Sequence, residues 1–115
     1  MGKFHKIKNL TPHQIKILLG GGAFTFDPGE QCARIIINEK EGDPLMGIPV
    51  SYVDHGEVVE LPEPEHGTAY IVSQMVAQAR KDREDLFFPL GLVRDEQTHR
   101  VLGACKLGQI KKEEE

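Results

Sequence analysis

Residues 80–100 of this chain gather Arg80, Lys81, Arg83, Arg94 and Arg100 around the adjacent pair Phe87 and Phe88. Arginine forks grip phosphate oxygens in bidentate fashion, and an aromatic face stacks on a nucleobase. Together these residue types suit an anionic, base-containing ligand. Phe87 or Phe88 would stack, and Arg94 and Arg100, which flank the turn at 95–99, would face each other across a hairpin and hold phosphate. A plainer reading competes. The run Arg80-Lys81-Asp82-Arg83-Glu84-Asp85 neutralises itself and reads equally well as a solvated helix end. One phenylalanine would then belong to the core, and the two arginines would pair with Asp95, Glu96 or Asp85.

Other candidate chemistry is thinner. Gly20-Gly21-Gly22 invites a phosphate loop, but such a loop needs a following lysine, a hydroxyl residue and a helix, whereas Ala23-Phe24-Thr25-Phe26 is strand-like. The glycines read as a turn. Asp54, His55, Glu57 and His66 are ligand types for a divalent ion, but their spacing fits no helical metal motif, so they are expected to be solvated side chains at the surface. No serine sits in a nucleophile elbow, neither cysteine has a histidine nearby, and no two carboxylates stand out as an acid–base pair. The expectation is binding rather than catalysis, with no catalytic residue, metal or cofactor.

The elements that must position these residues are mostly short strands. Alternation and β-branched runs place strands near 3–10, 14–18, 23–26, 32–37, 68–72, 92–94 and 100–105, with a hairpin over 48–53 and 57–61 turning at Asp54-His55-Gly56. Residues 38–45 read as a charged loop, and Leu61-Pro62-Glu63-Pro64 as rigid linkage. Ser73 caps one helix over 74–81, with Met75, Val76 and Ala79 on its apolar face. Six to nine strands and one helix make a mainly β (or α+β) protein, an antiparallel sheet of short strands. One β-rich domain spans 1–110, followed by a charged, frayed tail at 111–115.

Composition narrows the partners. A chain of 115 residues is one domain, and a formal charge of −4 disfavours generic nucleic-acid binding, although a basic pocket can hide within it. No apolar run approaches the ~20 residues that span a bilayer, and no signal-peptide pattern opens the chain. No nucleic acid and no membrane are expected as partners, and the expected location is the cytoplasm. Cys32 and Cys105 should then be buried, reduced and unpaired. Short strands with apolar sides leave edges to cover, so a homo-oligomer is expected.

Asn9-Leu10-Thr11-Pro12-His13, Leu61-Pro62-Glu63-Pro64, Tyr70-Ile71-Val72-Ser73 and Val93-Arg94-Asp95-Glu96 resemble landmarks of a group of small phage and prophage proteins, over nearly the whole chain. Proteins of similar size and layout include the phage anti-Thoeris sponges, which sequester cyclic ADP-ribose isomers. That resemblance implies a β-rich oligomer in the host cytoplasm that binds its nucleotide signal without cleaving it and so blocks immune signalling. It implies that Phe87 or Phe88 stacks on adenine while Arg94 and Arg100 hold the pyrophosphate. The chain departs from this pattern near its C-terminus, where Lys106 and Gln109 stand in place of an arginine. The alternatives are a structural or protein-interaction module of phage origin and a small nucleotide hydrolase.

Overall fold

The computed structural model describes residues 3–111. Along the chain run β1 (Lys6–Asn9), β2 (Ile15–Leu19), β3 (Gly22–Phe26), β4 (Arg34–Glu41), β5 (Ser51–Val59), β6 (Thr68–Ile71), α1 (Gln74–Ala79), β7 (Leu86–Arg94) and β8 (Val101–Gly108). The protein is mainly β with one short helix. Six strands form a sheet in the order β1-β6-β7-β8-β2-β3, and β4 and β5 form a separate ribbon. The large sheet is mixed: β7–β8 and β2–β3 pair antiparallel, whereas β1–β6, β6–β7 and β8–β2 pair parallel. The expected tail lies, apart from Lys111, outside the described residues. Among the described residues no helix is long and apolar enough to cross a membrane.

Parallel neighbours need a crossover, and α1 supplies it between β6 and β7. Ser73 caps the helix, its Oγ accepting from the Val76 N–H at 3.2 Å. The helix stops at Ala79, and it buries Val76 and Ala77 while Met75 stays exposed. With fewer than two turns, the crossover rather than a long apolar stripe decides which residues meet the sheet. Val76 and Ala77 join Tyr70, Val72, Leu86 and Phe88 in the core, with Leu10 and Ala33 beside them. Pro89 follows where β6 has already parted from β7, a sheet-edge position that tolerates the missing N–H.

Asn9 closes one end of this core. Its side chain is buried, with Nδ2 donating to the carbonyls of His13 (2.8 Å), Asp27 (3.0 Å) and, at 3.4 Å, Phe26. Its Oδ1 accepts from the Thr11 N–H (2.9 Å) and the Thr11 hydroxyl (2.7 Å). One amide therefore ties the β1–β2 turn to the end of β3. Gly29 packs directly on the Asn9 carbonyl, where any Cβ would collide, and donates its N–H to Thr11 at 2.9 Å.

The ribbon corrects two expectations. Residues 38–41 continue β4 rather than forming a loop, and Asp54-His55-Gly56 lies inside β5 rather than at a turn. The reversal occurs at Leu45–Ile48, with Met46 and Gly47 both at positive φ (51° and 83°), the backbone hand that hairpin turns favour. Sequence alternation fails here because the outer ribbon has no core face. Ile35 and Val58 pack against the core, but 36–57 are exposed except Gly42 and Val50. The ribbon stands off as an arm. It helps raise the radius of gyration to 17.1 Å, against about 13 Å for a compact chain of this length.

Candidate functional site

Strand alternation separates the two candidate stacking residues. Phe88 is 4% exposed within the core, its ring lying over Gly108, so no ligand reaches its face. That corrects Phe88 to a packing residue. Phe87 points the other way, half-buried, and meets Phe4 edge-on, with centroids 5.8 Å apart and planes at 86°. Arg94 and Arg100 lie at the far end of β7–β8. The hairpin there is closed by the Asp95 N–H donating to Arg100 O (2.8 Å) and the His99 N–H donating to Asp95 O (2.9 Å). Asp95 Oδ1 accepts from the N–H groups of Gln97 and Thr98, which hold its carboxyl below the usual range. Arg94 donates to His99 O at 3.1 Å. Neither arginine forms an ion pair among the described residues, and Asp85 pairs with Arg83 instead. Seven residues of strand, about 23 Å at ~3.3 Å each, separate Phe87 from Arg94. The structure brings the two arginines to one turn and does not bring them to Phe87 or Phe88 within one chain.

Phe87 instead lines a cleft of about 530 Å³. The segment before β1 contributes Lys3 and Phe4, the α1–β7 connection contributes Lys81, Arg83 and Glu84, and the segment after β8 contributes Gln109, Ile110 and Lys111. The walls are fixed from behind. Arg83 forks onto Asp85 with two 2.8 Å bonds, both side chains nearly buried. Gln109 Nε2 donates to Glu84 O at 2.8 Å. Lys3 pairs with Glu84 at 3.0 Å and sits 5.8 Å from the Phe4 centroid. Lys3, Lys81, Arg83 and Lys111 line this aromatic-walled hollow with Glu84, Arg83 being neutralised by Asp85 and Lys3 pairing with Glu84. Aromatic faces beside basic side chains are the residue types that suit a planar, negatively charged ring. Sequence reading missed Lys3, Phe4 and Lys111 because they approach Phe87 from opposite ends of the chain, a convergence that leaves no local signal.

The charged run neutralises itself as expected, through Arg80–Asp82 (two 3.0 Å bonds) and Arg83–Asp85, but the second pair is buried rather than solvated. Gly20 and Gly21 join β2 to β3. Asp54, His55 and Glu57 are exposed along β5, and no group of three or more His, Cys, Asp or Glu among the described residues is placed to hold a metal. Both cysteines are free. Cys32 is half-buried, with its thiol 3.6 Å from Gly29 O, whereas Cys105 is exposed against expectation. A second cleft, of about 610 Å³, lies between Asn9, Gly29, Pro62, Pro64 and Tyr70. The Tyr70 hydroxyl sits there 3.5 Å from Glu63 O and Glu65 Oε2, and burial, reinforced by the Glu65 and Asp85 charges, raises its pKa. Comparison with protein-family models, with curated proteins and with solved structures found no significant match.

Proposed function

We propose that this chain is a non-catalytic binder of a nucleotide-type anion and holds it in the cleft between Phe4, Phe87, Lys81 and Lys111. A cyclic ADP-ribose-like signal, sequestered without cleavage, is the ligand class implied by the resemblance to phage sponges. The observation that carries the reading is the meeting of Phe87 with a cluster of cations in one concave site. Base stacking adds ~1 kcal/mol beyond area burial, so charge-assisted hydrogen bonds of ~1.5–3 kcal/mol each must supply most of the specificity. Within one chain that work falls to the lysines, since Arg94 and Arg100 are remote. Calorimetric titration with cyclic ADP-ribose isomers tests it. Wild type should bind, and Lys81→Glu and Lys111→Glu should each weaken binding by about tenfold or more. A wild type that binds no isomer refutes the reading.

A second reading, a structural or protein-interaction module, is favoured by one separate observation. The β4–β5 arm carries Leu45, Met46 and Ile48 bare at its tip, Met46 being 94% exposed. A solitary two-strand ribbon with such a tip is marginal in water and gains by meeting another surface.

A further inference from the structure

We propose that the outer edge of β3 docks a second copy of this chain: β3 of one molecule pairs antiparallel with β3 of the other, centred on Phe24, and joins two six-stranded sheets into one. Four strand edges lack a neighbouring strand among the described residues, those of β1 and β3 on the large sheet and one on each side of the ribbon. Exposed edges are ordinarily guarded by charge. β1 carries Lys6 and Lys8, β4 carries Glu39, Lys40 and Glu41, and β5 carries Asp54 and Glu57. β3, Gly22-Ala23-Phe24-Thr25-Phe26, has neither a charge nor a proline, and the chain is uncharged from Ile17 to Phe26. Ala23, Phe24 and Thr25 are all exposed, Phe24 at 58%.

The backbone groups on that edge are free. Leu19 and Gly22 pair across the two-residue turn Gly20-Gly21, which makes theirs a hydrogen-bonded pair, and such pairs alternate with non-bonded ones along an antiparallel ladder. Ile17 and Phe24 are therefore bonded, whereas Ala23 and Thr25 turn their N–H and C=O groups away from β2. Lys16, opposite Thr25, agrees with this phase, since its carbonyl lies against Gly103 of β8. On the outer side Ala23 and Thr25 present two donors and two acceptors, and none of the described residues of the same chain bonds to them.

The edge matches itself. An antiparallel copy centred on Phe24 sets Ala23 opposite the partner's Thr25 and Thr25 opposite the partner's Ala23, so four hydrogen bonds form together. The two Phe24 residues then meet as a non-hydrogen-bonded pair, in which side chains lie closest. Phe26 falls opposite the partner's Gly22, where an added Cβ would meet nothing within 4 Å, so its ring has room. Asp27, the first charge after the strand, falls opposite Gly21 rather than another carboxylate. This pairing closes on a two-fold axis, whereas β3 on the lysine-bearing β1 of another copy would build an open chain of molecules. About five residues per copy take part, against the ~20–30 of a standard interface, so the dimer is weak and forms at roughly tens to hundreds of micromolar.

Sedimentation equilibrium on the whole chain, from about 10 μM to 1 mM, tests the pairing. Wild type should rise from the monomer mass of 12.8 kDa towards twice that value. Thr25→Pro removes an N–H that the monomer leaves unused, a change an edge strand tolerates. It should weaken association by about tenfold or more with an unchanged circular dichroism spectrum. Two charge variants, Ala23→Lys/Thr25→Lys and Ala23→Glu/Thr25→Glu, leave the backbone unaltered and decide the matter should the proline disturb the strand. Each alone sets like charges opposite one another and should stay monomeric, and an equimolar mixture should associate at least as well as wild type. A wild type still monomeric at about 1 mM, a folded Thr25→Pro variant that associates normally, or charge variants that associate alone or stay apart when mixed overturns the proposal. The Phe87 cleft shares no residue with β3, so ligand titration of the charge variants reports on the cleft separately.

Discussion

Replacing Asn9 is the severest test of how this fold is held. Asn9→Ala removes two donors and an acceptor from a buried position and leaves the Thr11 N–H and the Asp27 carbonyl without their partner, while the His13 carbonyl keeps the Thr11 hydroxyl at 3.1 Å. A buried polar group stranded in this way costs ~1–3 kcal/mol, and water entering the vacated space recovers part of it. Two such groups give about 3 kcal/mol, a large fraction of the ~5–15 kcal/mol that stabilises an ordinary domain. With a urea slope of ~1.5 kcal/mol/M for a chain of this size, the midpoint should fall by about 2 M. Asn9→Asp supplies the sharper comparison. It preserves shape and the acceptor facing Thr11, yet it aims a carboxylate oxygen at the carbonyls of His13 and Asp27. It should be at least as unstable as Asn9→Ala at neutral pH. Urea denaturation followed by circular dichroism measures both. An alanine variant losing under about 1 kcal/mol, or an aspartate variant of wild-type stability, would refute the account of Asn9 as the tie between β1–β2 and β3.

The remaining predictions concern single positions. Gly29→Ala should lose about 3 kcal/mol, because the new Cβ meets the Asn9 carbonyl oxygen, whereas Gly21→Ala, with nothing within 4 Å, should change stability by under about 0.5 kcal/mol. Arg83→Ala should lose ~3–5 kcal/mol by stranding the buried Asp85 carboxylate, and Arg80→Ala, which breaks only a largely exposed pair, under ~1 kcal/mol; equal losses in the two unfolding curves would contradict the burial of the Arg83 pair. Tyr70 has a raised folded pKa, so the stability it contributes is complete below the unfolded phenol value of about 10 and is lost as pH rises through the folded one. Tyr70→Phe should accordingly show a smaller alkaline fall in urea midpoint than wild type, and an identical fall would sink the argument. In native protein the exposed Cys105 should react with a thiol reagent faster than the half-buried Cys32, two groups being titrated on denaturation; a single rate for both contradicts their placement.

What was legible in the sequence is what a local pattern encodes. Ser73 marked its helix because a cap acts within three residues, and the β7–β8 turn was visible because Asp95 is a turn-former that captures the N–H groups of Gln97 and Thr98. Alternation failed on the arm, where no core imposes a period of two. It also could not choose between Phe87 and Phe88, since a strand sends neighbours to opposite faces and only the packed sheet says which face is inside. The parallel pairings of β1, β6 and β8 join segments far apart in sequence and leave no short-range mark.

The residues that carry the resemblance now have physical roles of a particular kind. Asn9 ties two turns, Tyr70, Ile71 and Val72 are core, Ser73 is a helix cap, and Arg94 and Asp95 shape a hairpin. Strings of this sort specify how a chain folds, and a shared fold does not by itself fix a ligand. The cleft at Phe87 depends on different positions: Lys3, Phe4, Lys81 and Lys111 lie outside every one of those strings. Two proteins with the same landmarks can therefore share this architecture while differing in what the cleft accepts. On the proposed function, specificity rests with the cations at the two ends of the chain rather than with the motifs at its centre.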